Sequence, residues 1–192
     1  MMPEPDPLKI KTFATPKDLA DWLKVNNARD NELWIKIFKK NTGIQSVTWN
    51  DVVIEVLCWG WIDGIKKSID EQAYLQRITP RTARSNWSKR NTEHIERLIS
   101  EDRMEESGLV HVRAAKADGR WDKAYVVSEM EVPADFLTAV ENQPRVKAFF
   151  DTLNKSHRYV IANGLISTKK PETRLRRFEK FMSMLVCEEK PK

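Results

Sequence analysis

The apolar positions of this chain change period at Pro80. Before it, short alternating runs sit between helical ones; after it, the spacing is helical throughout. Residues 9–14, KIKTFA, alternate briefly and predict a short strand. Thr15 and Pro16 suit the cap and first position of a helix running to about Asn27, with Leu19, Trp22 and Leu23 as its apolar face. Residues 32–40, ELWIKIFKK, predict a strand. Leu33, Ile35 and Ile37 point one way and Trp34 and Phe38 the other, which predicts an interior strand covered on two sides. Asn41-Thr42-Gly43 is a turn. Thr48 caps a helix from Trp49, with Asp51 completing a capping box, and Trp49, Val52, Val53, Val56 and Leu57 follow helical spacing up to Gly60. Residues 61–69 and 73–79 predict an antiparallel hairpin joined at Asp70-Glu71-Gln72. Trp61, Asp63, Ile65, Lys67 and Ile69 share one face of its first strand; Tyr74, Gln76 and Ile78 share one face of the second.

No further strand is expected. Ser88 caps a helix to about Glu101 with Ile95, Leu98 and Ile99 inward. Another helix spans about Met104–Ala117 and stops at Asp118-Gly119; residues 120–133 connect it to helices over about 134–142, 144–154 and 156–167. Pro171 starts the last, striped by Leu175, Phe178, Phe181, Met182 and Leu185. The fold class is therefore α+β: a small mixed sheet with packed helices over residues 1–127, then a helical module over 128–192. The first eight residues are expected to be loose.

With 192 residues, seven Trp and seven Phe, the chain can bury a sizeable core. No apolar run reaches the ~20 residues of a membrane helix, and the start, MMPEPDPLKIKTFATP, lacks an export signal. The expected compartment is the cytoplasm. Cys58 and Cys187 form neither a disulfide framework nor a metal-ligand spacing, and Cys58 reads as a small buried hydrophobe. The net charge of +5 is unevenly spread. Residues 77–90 carry five basic and no acidic side chains, residues 91–142 are net −6, and residues 143–180 are net +7. Two positive segments bracketing a negative one can bind anions or nucleic acid, or can pair internally.

Two stretches hold candidate chemistry. In LCWGWIDGIKK, residues 57–67, Gly60 ends a helix, Gly64 can bulge a strand, and at least one of Trp59 and Trp61 belongs in the core. Asp63 among large apolar groups has three readings: a general acid or base, the partner of a loop arginine walling a pocket, or a turn cap beside Gly64. The segment from Arg77 to Asn91 is the candidate anion site. Arg77, Arg81 and Arg84 offer forked donors, Ser85, Asn86 and Ser88 add hydrogen bonds, the helix after Ser88 offers free N–H groups, and Trp87 could stack on a ring. As surface residues these arginines would be replaceable without loss of fold. The ordinary alternative is a surface loop paired with the acidic helices. His94, His111 and His157 have no metal or triad partner at motif spacing, and no nucleotide or hydrolase motif is present, so no cofactor or metal is expected. Arg176 and Lys180 lie one turn apart on the last helix, which could meet a membrane surface or nucleic acid, or stay in water.

The segments IDGIKKSID, ITPRTARSNWSKRN, AKADGRWDKAY and TKKPETRLRRFEKFMSML resemble the bacterial YdeI/OmpD-associated family, the bacteriocin-protection proteins, from Phe13 to about Leu185. The part from about Val132 resembles the module that gives this family its name. The resemblance implies antimicrobial-peptide resistance, association with an outer-membrane porin and a periplasmic location, and implies no activity or cofactor. The chain departs from it in lacking an export signal and in placing Asn163-Gly164 inside a helix, where Gly costs about 1 kcal/mol and suggests a loosened turn. The expected function is a non-catalytic binding or stress-protection protein with an aromatic and basic pocket for a small anion or peptide. The alternatives are a nucleic-acid or anionic-surface binder and an enzyme centred on Asp63.

Overall fold

A single mixed sheet carries the N-terminal half of the chain in the computed structural model, which describes residues 4–83, 85–126, 130–168 and 170–191. Its strands are β1 (Ile10–Lys11), β2 (Leu33–Phe38), β3 (Trp61–Ser68) and β4 (Ala73–Pro80), in the order β1-β2-β4-β3. β1 runs parallel to β2; β4 is antiparallel to both β2 and β3. As the two-faced apolar pattern implied, β2 is interior, with Leu33, Trp34, Ile35 and Ile37 all buried. Asp70 closes the β3–β4 hairpin by accepting the Gln72 and Ala73 N–H groups, each at 2.7 Å.

The hairpin contains one irregularity that changes which residues share a face. Asp63 lies opposite Ile78 but Lys66 lies opposite Gln76, so β3 has an extra residue at Gly64-Ile65. Gln76 Nε2 holds the bulge by donating to Gly64 O at 3.0 Å. An inserted residue flips the alternation beyond it. Trp61 and Asp63 thus share the face of Leu33, Ile35 and Ile78, whereas Lys67, opposite Leu75, lies on the other. The single face expected for Trp61, Asp63 and Lys67 is split by the bulge.

Helices α1 (Pro16–Asn26) and α2 (Trp49–Cys58) cover one face of the sheet, and α3 (Lys89–Ser100) and α4 (Glu106–Ala117) pack behind α2. Capping boxes start α1 and α2: Thr15 with Asp18, Thr48 with Asp51. Ser88 caps α3 by accepting from Asn91 N. Val52 and Val56 enter the core shared with α1 and the sheet, together with the fully buried Trp61. Val53, Ile54, Leu57 and Cys58 enter a second core with Ile95, Leu98, Val112, Trp87 and Trp121. All seven residues from Val52 to Cys58 are therefore buried. Glu55 is among them; its carboxylate meets Arg103 at 2.6 Å, and burial still pushes its pKa up against the pull of that guanidinium. Burial likewise pushes the Cys58 thiol up to about 12, which makes it an inert hydrophobe. Trp49 and Ile99, expected inward, are instead exposed, and Trp49 Nε1 donates to Asp63 at 3.0 Å.

The C-terminal end of α2 touches α4 through backbone. Glu105 N donates to Cys58 O at 3.1 Å and Ser107 Oγ to Trp59 O at 3.1 Å. Gly60 turns the chain with φ +74°, and a Cβ on it would stand 2.5 Å from Ser107 O. A Cβ on Gly108 would stand 2.3 Å from Cys58 O. The two glycines let the two backbones approach where any side chain would hold them apart.

The residues fall into two compact units, Met1–Ala124 and Tyr125–Lys192. The second consists, among its described residues, of α5 (Ala134–Glu141), α6 (Pro144–Asp151), α7 (Lys155–Ile166) and α8 (Pro171–Val186) around Phe136, Val140, Val146, Phe150, Ile161, Leu165, Phe181 and Leu185. α7 continues unbroken through Asn163-Gly164. The glycine makes room for a ring: a Cβ there would stand 2.6 Å from Phe181 Cε2. Leu175, expected on the buried stripe of α8, is 59% exposed. No helix among the described residues is long and apolar enough to cross a membrane.

Gly108 provides a test with an unusual sign. Gly→Ala inside a helix ordinarily gains about 1 kcal/mol. Here the methyl group meets a backbone carbonyl that cannot move aside, so Gly108→Ala should lose about 1–3 kcal/mol in urea unfolding. A gain would show that α2 and α4 do not meet as described.

Candidate functional site

The residues singled out in the sequence do not converge on one place. Arg77 pairs with Glu32 at 2.5 Å. Asp63 sits across from Ile78, on the opposite face of the sheet from Arg77, and its Oδ2 accepts from Trp49 Nε1. None of the three readings of Asp63 anticipated this tryptophan. Arg84 lies outside the described residues.

Arg81, Ser85, Trp87 and Ser88 do come together, as a fastened loop. Arg81 N donates to Gly60 O at 2.9 Å, tying the loop to the glycine that ends α2. The Arg81 side chain is only 5% exposed. Its guanidinium lies 3.7 Å from the Trp87 ring centroid and donates through Nη1 to Asn86 O at 3.2 Å. Ser85 Oγ accepts from Thr82 N, and Ser85 O accepts from Arg120 Nη1 at 3.0 Å. Trp87 is 3% exposed and packs on Trp121 with centroids 5.2 Å apart. The cation and the ring expected to receive a ligand thus stack on each other inside the protein.

His111 stands beside this loop, close enough that a Cβ on Gly60 would lie 2.8 Å from its Cδ2. Burial, then the Arg81 and Arg120 guanidinium groups, hold its pKa below 6.5. His94 is also lowered, by burial and then by Arg90 and Arg97, and its Nε2 accepts from Arg90 Nε at 3.3 Å. Among the described residues no three His, Cys, Asp or Glu side chains converge to hold a metal ion.

A ligand-sized concavity lies in the second unit. A cleft of about 440 Å³ is bounded by Met130, Glu131 and Val132 before α5, by Leu137 and Phe150 on α5 and α6, and by Lys155, Arg158 and Tyr159 on α7. Lys155 opens α7, whose cap is Asn154 accepting from His157 N at 3.0 Å. Arg158 Nε donates to Leu153 O at 3.2 Å, and Nη2 lies 3.5 Å from Phe150 O and 3.4 Å from Asp151 O. Its guanidinium also lies 4.8 Å from the Phe150 ring centroid. The carbonyls at the end of α6 therefore fix Arg158 in place. Three further clefts are present among the described residues: one of about 590 Å³ in the second unit, where Arg145 and Glu188 bring opposite charges to its lining, and two of about 260 and 410 Å³ that share Glu55 and Arg103, whose charges already meet each other.

Lys155, Arg158 and Tyr159 were missed in the sequence. Their i, i+3, i+4 spacing places two cations and a phenol on one helix face, the one signal available.

Two family models match the chain. Residues 11–111 match a domain of unknown function (DUF8412), and residues 129–186 match the family described as bacteriocin-protection, YdeI or OmpD-associated. The chain belongs to the first family over more than half its length, and its C-terminal part is a YdeI/OmpD-associated module. The match to that module begins close to the Val132 expected from the sequence, whereas the wider resemblance expected from Phe13 onward falls on residues that match the other family. No curated protein and no solved structure matches the chain.

Two measurements check the loop. Arg81→Ala should cost about 2 kcal/mol of stability, because the side chain is stacked and buried, and Arg81→Lys should recover only part of it. An unchanged midpoint for Arg81→Ala would return the arginine to the surface. The second concerns acid. A histidine with a depressed folded pKa binds fewer protons than in the unfolded chain, so its contribution is full above its ordinary 6.5 and is lost as pH falls through the folded value. Between about pH 7 and pH 5, His111→Gln should therefore lose less stability than the wild type. Equal losses would show that neither burial nor the two guanidinium groups lower the His111 pKa.

Proposed function

We propose that this is a non-catalytic binding protein of the stress-protection type, with the aromatic and basic cleft of its YdeI/OmpD-associated module as the seat for a small anion or peptide. The observation that carries this is the coincidence of the matched residues 129–186 with a 440 Å³ cleft that combines apolar walls with Lys155, Arg158 and Tyr159. Ligand pockets typically hold about 300–1,000 Å³ and pair apolar walls with a few polar groups. The groups present suit holding a ligand: two cations, a phenol, a rim carboxylate and a bed of Met, Val, Leu and Phe. The family's description as bacteriocin-protection agrees with a role in sequestering or sensing a molecule.

The test is a thermal-shift screen of small anions and short peptides against the wild type, Lys155→Glu and Tyr159→Ala. Binding to the folded state raises the apparent melting temperature. At least one compound should stabilise the wild type and lose most of its shift in both variants. A panel in which no shift depends on either side chain would overturn this reading.

A further inference from the structure

The cleft also specifies what kind of anion it takes. Its charged groups are Lys155, Arg158 and Glu131, a net of one positive charge. Lys155 Nζ has no acceptor among the described residues, while Arg158 already directs Nε and Nη2 to the carbonyls ending α6. The site therefore offers one ammonium without a protein partner among the described residues, the remaining edge of one fixed guanidinium and the Tyr159 side chain. The rest is apolar: Val132 and Phe150 are buried, and Met130 and Leu137 partly so.

We infer that the ligand is an amphipathic monocarboxylate: a free acid whose apolar body lies on Val132, Leu137 and Phe150 while its carboxylate meets Lys155 and Arg158. This rests on the binding role proposed above. Charge selects the head group. One carboxylate neutralises the cleft, whereas a phosphate dianion would leave excess negative charge beside Glu131 and would find only part of the Arg158 fork open. Solvation selects the body. Covering the cleft with a neutral apolar molecule would take water from the Lys155 ammonium and supply no partner, a loss a carboxylate avoids. A small inorganic anion would remain in water and bury none of the apolar wall, so it would gain little. The cleft volume suits a small free acid.

Calorimetric titration decides this, using the full chain with decanoate, decanol, decylammonium, inorganic phosphate and a short peptide ending in Leu with an amidated C-terminus, all below micellar concentrations. Decanoate should bind, and decanol, decylammonium and phosphate should each bind at least about tenfold more weakly. Lys155→Met should weaken decanoate about tenfold, and Lys180→Met, on α8 away from the cleft lining, should not. Decanol binding as tightly as decanoate, or a Lys155→Met variant binding decanoate normally, would overturn the assignment. Lys155-dependent binding of the peptide or phosphate without decanoate would also overturn it while leaving the binding role standing. No Lys155-dependent binding of any probe in this set, together with no cleft-dependent shift in the wider screen, would remove both.

Discussion

One helix, buried on every side beyond its first turn, holds the N-terminal unit together. Residues Val52 to Cys58 of α2 are buried without a break, Val52 and Val56 toward the sheet and Val53, Ile54, Leu57 and Cys58 toward α3 and α4. A helix that is apolar all round must be enclosed on every side. Enclosure creates two problems at once. The carbonyls at its C-terminal end need partners, and α4 supplies them from Glu105 N and Ser107 Oγ. The backbones must approach closely enough for those bonds to form, which accounts for glycine at positions 60 and 108. The one carboxylate in the run, Glu55, is tolerated because Arg103 reaches it.

That enclosure also decides the fate of the basic loop. The loop leaves β4, hydrogen-bonds to Gly60 and returns to α3, so it closes the second core. Trp87 fills that core, Arg81 covers Trp87, and Arg120 ties down Ser85. Within that segment Arg81, which looked like an invitation to a ligand, serves to shut the helix in. The open chemistry lies in the YdeI/OmpD-associated module, where an anchored arginine and an unattached lysine border an apolar cleft.

Local rules were legible in the sequence because they act over a few residues. Thr15, Thr48 and Ser88 cap their helices as their positions implied, and the two-faced pattern of β2 matched an interior strand. Gly64 signals a kink or a bulge without saying which; the structure has a bulge there, and its one extra residue moves Lys67 to the other face. Helical spacing put Trp49, Ile99 and Leu175 inward, yet all three are exposed, because spacing gives a stripe and not how much of it a neighbour covers. Gly164 looked like a defect since the ring it accommodates, Phe181, is seventeen residues away on another helix. For the same reason the cleft was not visible. Its walls come from four separate segments, and only the Lys155, Arg158 and Tyr159 face has a local signature.

The most direct test of where this protein binds is a nuclear magnetic resonance titration of the isotope-labelled chain with decanoate. Saturable shifts are expected, centred on Val132, Leu137, Phe150, Lys155 and Tyr159, with the amides of Arg81 to Ser88 unmoved. Shifts centred on that loop instead, with the module silent, would contradict binding at the cleft.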